Sequence, residues 1–174
     1  MNFDLRKLVA KIKSADPDVV LFGGMDIQAA RLLQEMRAQN VTATLLGADG
    51  MQTGEFIKRA GAIAEDQYAT QPGSAATLLP GFSRFRKKYE ARFHLPVYIY
   101  SPYTYDAVKL LVTAMRQSDS VDPKQYINSL AQIDYEGVSG HLSFEPTGDL
   151  AAAVVSIYQV QHGKWVLIKQ EKVS

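Results

Sequence analysis

The sequence predicts an α/β fold: a mainly parallel sheet flanked by helices, with the chain shared between parts of two lobes. Three observations carry that prediction. Apolar runs alternate with segments of helical period from residue 19 onward. Such alternation builds parallel sheets, because each parallel pair needs a long crossover. Linker-like sequence interrupts the alternation at about residue 72 and again near residue 148. At the end of the chain, two strand-like runs flank His162-Gly163 at hairpin spacing.

Leu5, Leu8, Val9 and Ile12 recur at helical spacing, so residues 3–14 read as an amphipathic helix. Pro17 ends it, since proline disfavours helix in the residue before itself. Val19–Phe22 is uninterruptedly apolar, the pattern of a parallel strand covered on both faces. Gly23-Gly24 then permits a sharp turn. Asp26 can cap a helix over residues 27–39, with Ala29, Leu32, Leu33 and Met36 as its buried stripe and Asn40 as its stop. A second strand covers residues 42–46, a short helix Gly54–Ala60 ends at Gly61, and residues 67–70 form a third strand.

Residues 71–76 have linker composition and mark a crossover. Beyond it, Phe82, Phe85, Tyr89 and Phe93 mark a helix face, and residues 94–97 break it. Residues 103–117 form a long helix with Val108, Leu111, Val112 and Met115 in register. Asp122-Pro123 is a cap followed by proline at the first helical position, opening a helix to about residue 132. Residues 136–140 turn, residues 141–144 form a short strand, and residues 146–149 turn again. The final hairpin pairs residues 153–161 with 164–169. The expected division is residues 1–72 with 149–174 in one lobe and residues 73–148 in the other.

Composition narrows the function. The chain has 174 residues, 47% of them hydrophobic, which supports a packed core. Its 19 Lys and Arg against 18 Asp and Glu give a charge of +1, no electrostatic case for nucleic acid or an anionic membrane. Lacking cysteine, it has no thiol catalysis, disulfide or cysteine metal site. No apolar run reaches the roughly 18 residues of a membrane span. Residues 1–7 read as a helix start without the pattern of a signal peptide.

A glycine turn, a lone carboxylate and a tyrosine cluster are the candidate ligand groups. Gly24, with Gly23, opens a helix after a strand, where backbone amides can meet an anion or simply turn the chain. Neither a third glycine in dinucleotide register nor a phosphate-loop lysine follows. Asp49 stands between Ala48 and Gly50 just past an apolar strand, placed to pair with an ammonium group or to cap a turn. Tyr98, Tyr100, Tyr103 and Tyr105 gather at the start of a helix, where aromatics wall a pocket or pack ordinarily. His94, His141 and His162 lack metal spacing. Arg84, Arg86, Lys87, Lys88 and Arg92 read as a solvated helix face, or else as a contact for a partner protein or acidic surface. No acid/base pair, nucleophile elbow or metal set converges by spacing, so an enzyme is the least supported reading.

Five motifs in order resemble the branched-chain amino acid solute-binding proteins of ATP-binding-cassette transport, the type I periplasmic-binding fold. They are residues 16–24, residues 47–50, Tyr103-Thr104-Tyr105-Asp106-Ala107-Val108, Gly137-Val138-Ser139-Gly140, and residues 144–149. The resemblance implies the C-terminal half of such a protein: residues 1–72 with 149–174 in its C-terminal lobe and residues 73–148 in its N-terminal lobe. It implies a non-enzymatic receptor, without cofactor or metal, that closes by a hinge on an amino acid and serves a membrane permease from the periplasm. An export signal would lie upstream. Asp49 would hold the ligand ammonium. Met25 would stand where the family often has an aromatic, and Tyr100 would line the side-chain pocket. The implied truncation leaves lobe surface exposed, so self-association is expected. The alternative is an amide- or amino-acid-responsive sensor of the same fold.

Overall fold

The computed structural model describes residues 4–173; the readings made for Met1, Asn2 and Phe3 lie outside them. The chain divides into two compact units, one of Met1–Pro72 with Val155–Glu171 and one of Gly73–Val154 with Lys172–Ser174.

The first unit is built on a five-stranded sheet in the order β1-β2-β3-β6-β7. Its strands are β1 (Val19–Phe22), β2 (Thr44–Gly47), β3 (Tyr68–Pro72), β6 (Ala153–Gln161) and β7 (Lys164–Val173). β1, β2 and β3 run parallel, with Val20 opposite Leu45 and Gly47 opposite Ala69. β6 returns antiparallel to β3, pairing Tyr158 with Ala69 and Val155 with Pro72. The sheet is therefore mainly parallel with an antiparallel hairpin added, as the sequence pattern predicts.

Three helices of this unit, α1 (Leu5–Ala15), α2 (Asp26–Ala38) and α3 (Gly54–Ala60), pack into one core. Val9, Leu33, Met36, Leu45, Met51, Phe56 and Val160 are fully buried there, with Val20, Phe22 and Trp165 against them. Burying one such side chain stabilises the fold by roughly 1.5–3 kcal/mol. Successive strand side chains point to opposite faces. Val20 and Phe22 thus serve the core, while Val19 and Leu21 face the other way and are 51% and 77% exposed. Val166 and Ile168, which alternate with the core residue Trp165, are exposed too. The expectation that β1 is covered on both faces is corrected: α1, α2 and α3 all belong to the core on one side, and the apolar residues of the other side are bare.

Two local readings also change. Asp26 is not the cap of α2 but its first residue; the cap position is Met25, and the Asp26 carboxylate instead accepts from the Ile27 amide at 2.7 Å. Neither Gly23 nor Gly24 takes a positive φ. A Cβ at position 24 would stand 2.8 Å from Cε1 of Phe22, so any side chain there would have to displace that ring.

The second unit holds α4 (Phe82–Phe93), α5 (Ser101–Gln117), α6 (Pro123–Ala131) and a two-stranded antiparallel sheet of β4 (Tyr135–Gly137) and β5 (Gly140–Leu142). The expected strand at residues 141–144 is shorter, and β4 was not anticipated. α5 buries Pro102, Asp106, Leu110 and Ala114 along one stripe. α4 buries none of its residues fully; its Phe85, Tyr89 and Phe93 rings form a ladder with centroids 5.7 and 4.8 Å apart. At the head of this unit the Gly73 amide donates to the Val154 carbonyl at 2.7 Å, and the Tyr103 hydroxyl donates to the Ser74 carbonyl at 2.6 Å.

Candidate functional site

In an open α/β sheet, ligands bind beyond the carboxyl ends of the parallel strands. In the first unit those ends are Phe22 of β1 and Gly47 of β2, paired in register. The ladder continues one step further, for the Ala48 amide donates to the Phe22 carbonyl at 3.3 Å. The loops that follow, residues 23–25 and 48–53, therefore leave the sheet side by side.

Asp49 opens a short 3₁₀ turn, Asp49–Met51, whose first acidic residue it is. The turn is closed by the Gln52 amide, which donates to the Asp49 carbonyl at 3.0 Å. Met51 is buried beneath it, so close to Gly47 that a Cβ there would stand 2.6 Å from the Met51 Cβ. This packing holds Asp49, half-buried, at the mouth of the sheet. Gly50 is buried against the neighbouring loop. A Cβ at Gly50 would lie 2.7 Å from the Met25 sulfur and 3.2 Å from the Gly24 carbonyl oxygen. Met25 itself is 56% exposed.

The structure thus brings three of the four candidates together: Gly24, Met25 and Asp49 on adjoining loops. Tyr100 lies in the second unit, at the cap position of α5 and half exposed. It lines a cavity of about 630 Å³ with Phe85, Tyr89, Phe93, Tyr105 and Val108. Tyr103 serves the Gly73–Ser74 turn, and Tyr98 is exposed. The amide end of α2 already carries its own anion, because Asp26 occupies the Ile27 amide.

Two groups escaped the sequence reading. Thr53 caps α3 by accepting from the Phe56 amide at 3.1 Å and donates to Asp26 Oδ2 at 2.8 Å. In the second unit Asp106, 1% exposed, accepts from the Val138 amide at 2.9 Å, the Ser139 amide at 2.7 Å and the Ser139 hydroxyl at 2.5 Å. It also explains Gly137, where a Cβ would stand 2.5 Å from Asp106 Oδ2. Tyr135, on the strand beside it, has its hydroxyl pKa raised, first by burial and then by the charges of Asp106 and Tyr105. The signal for Asp106 was its register, four residues before Leu110 on the buried stripe. Among the described residues, no three His, Cys, Asp or Glu side chains gather as metal ligands would, and no helix is long and apolar enough to cross a membrane.

A sheet of this order, with the sequence of the second unit inserted between its third strand and its hairpin, has the fold of part of a type I periplasmic binding protein. The chain belongs to the periplasmic binding protein family, whose model matches residues 3–164. An amino acid binding protein of Pseudomonas aeruginosa is 28% identical over 160 residues, 90% of this chain and 42% of that protein. A leucine-, isoleucine-, valine-, threonine- and alanine-binding protein of the same organism is 26% identical over 156 residues, again 90% and 42%. A leucine binding protein of Thermotoga maritima superposes with a TM-score of 0.82 at 20% identity, over 96% of this chain and 48% of that one; at that identity the likeness is one of fold. The chain thus spans less than half the length of these relatives, members of a family of binding proteins rather than enzymes.

Proposed function

We propose that this chain is the C-terminal part of a receptor that binds branched-chain or related amino acids outside the cytoplasmic membrane and delivers them to an ATP-binding-cassette permease. The observation that carries the reading is the placement of Asp49 beside Met25 and Gly24 at the carboxyl ends of β1 and β2. The carboxylate pairs with the ligand ammonium in a charge-assisted hydrogen bond. Met25, flexible and apolar, walls the hydrocarbon end without fixing its shape. Tyr100 joins the apolar wall on the strength of the family resemblance. The first unit is assigned to the receptor's C-terminal lobe and the second to its N-terminal lobe, with closure by a hinge. The amino acid names of the two Pseudomonas relatives support the ligand class.

A chain spanning 42% of its relatives presents part of a receptor's ligand contacts, so leucine binding by this chain alone is expected to be millimolar or weaker. Backbone amide NMR during a leucine titration detects affinities in that range. The expected shifts cluster at Gly24, Met25 and Gly50 and disappear in Asp49→Asn. Shifts that survive Asp49→Asn, or a panel in which only ligands without an ammonium group respond, would remove Asp49 from the role given to it.

A further inference from the structure

The two loops at the strand ends are tied together by side chains assigned no part in holding ligand. Asp26 uses both carboxylate oxygens: Oδ1 accepts from the Ile27 amide at 2.7 Å, and Oδ2 accepts from the Thr53 hydroxyl at 2.8 Å. The Thr53 hydroxyl, with its O–H directed at Asp26, accepts from the Phe56 amide at 3.1 Å. Its orientation is therefore fixed from both sides. Thr53 is anchored again through its carbonyl, which accepts from Trp165 Nε1 at 2.9 Å, and the Trp165 ring lies against Phe56 with centroids 5.7 Å apart. One hydroxyl thus joins the first residue of α2 to the cap of α3.

The segments this bond joins are the ones that carry the candidate ligand groups. Met25 immediately precedes Asp26, and Asp49 and Gly50 lie one turn before Thr53. Between the two segments Gly50 lies against the Met25 sulfur and the Gly24 carbonyl, which would stand 2.7 and 3.2 Å from a Cβ placed there. We propose that the Asp26–Thr53 hydrogen bond is a clasp that sets the position of Met25 against Asp49–Gly50, making both residues positioning groups for ligand recognition. The inference rests on the reading of Asp49 and Met25 as ligand groups. The charge of Asp26 suits this place, because a carboxylate in the first turn of a helix is favoured by the helix dipole. A helix cap alone would not require Asp26, since Thr53 reaches the Phe56 amide unaided.

That difference supplies the test. Asp26→Ala removes the clasp and leaves the Thr53 cap, whereas Thr53→Ser retains both bonds. The protein is labelled at its methionine methyl groups and followed by NMR, with the buried methyl of Met36 as the reporter of an intact core. In the unsubstituted protein the Met25 methyl is expected to show cross-peaks to the Gly50 α-protons. In Asp26→Ala these cross-peaks vanish and the Met25 methyl moves to the shift of a free methionine, while Met36 stays in place. In Thr53→Ser both signals stay. Persistence of the Met25–Gly50 cross-peaks in Asp26→Ala would overturn the clasp. A parallel leucine titration separates the clasp from the ligand reading: Asp26→Ala should lower leucine affinity at least about threefold. An unchanged affinity in a variant whose Met25 has left Gly50 would overturn the role in recognition. If leucine does not bind even the unsubstituted protein, the ligand assignment fails and the methyl cross-peaks still decide whether the clasp sets the geometry.

Discussion

Replacing Asp106 with alanine should destabilise the second unit more than any surface substitution. The carboxylate is 1% exposed and accepts three hydrogen bonds from the β4–β5 turn, between 2.5 and 2.9 Å. A hydrogen bond to a charged acceptor contributes about 1.5–3 kcal/mol, and a buried donor left without a partner costs about 1–3 kcal/mol. Val138 and Ser139 are themselves half-buried, so water recovers part of the loss. The expected cost of Asp106→Ala is on the order of 3–4 kcal/mol. Asp106→Asn keeps the shape and one acceptor oxygen, and should cost about half as much. Urea unfolding followed by far-ultraviolet circular dichroism measures both. With a slope of about 1–3 kcal/mol per molar urea, the alanine midpoint should fall by roughly 1–4 M. The single tryptophan, Trp165, lies in the first unit, so its fluorescence reports that unit separately. The amides of Val138 and Ser139 should also lose hydrogen-exchange protection. A cost below about 1 kcal/mol for alanine, or an asparagine variant no more stable than the alanine one, would refute the account of Asp106 as the anchor of that turn.

Burial raises the pKa of the Tyr158 hydroxyl, against a smaller lowering by its hydrogen bond with Ser156. The folded state then holds this proton at a pH where the unfolded chain has released it. The stability from Tyr158 is full below the ordinary tyrosine value of about 10 and is lost as pH rises through the raised value. Tyr158→Phe should flatten this alkaline decline in urea midpoints taken between about pH 8 and 11.5; an unchanged decline would point to other groups. On the bare side of the sheet, Leu21 is 77% exposed beside Val19. Light scattering should show concentration-dependent association of this chain that Leu21→Lys weakens while leaving stability within about 0.5 kcal/mol. A monomer at every concentration, or association indifferent to Leu21→Lys, would place any contact elsewhere.

Residue pattern carried most of the architecture. β1, α3, α6 and the terminal hairpin follow from apolar period, Asp122-Pro123 and His162-Gly163, because each of those signals acts within a few residues. The covering of β1 was misread because an apolar run states what a strand can bury and not what is present to bury it. Gly24 and Asp49 were legible as neighbouring loop groups, since parallel strands in succession bring their carboxyl ends together, while Met25 came only from the family resemblance. Thr53 was readable as a helix cap, a local matter. Its bond to Asp26 was not, because the partners are 27 residues apart. Asp106 was hidden for the same reason: its partners lie 32 and 33 residues on, and an acidic residue within a helix is ordinarily solvated.

The sheet of the first unit is made from two separated stretches of chain, and that has a consequence for how the protein is synthesised. β1, β2 and β3 are translated together, but Val155, the first residue of β6 to pair with β3, follows only after all of the sequence from Gly73 to Val154. At about 5–20 residues per second the ribosome needs roughly 4–16 s to cross that interval. Throughout it, the edge of β3 from Tyr68 to Pro72 has no partner. Closing so long a loop costs little more than closing a short one, since each doubling of length adds only about 0.6 kcal/mol. The burden is therefore temporal: the nascent chain carries an open strand edge for seconds, and a chaperone that shields it has its window before Val155 emerges.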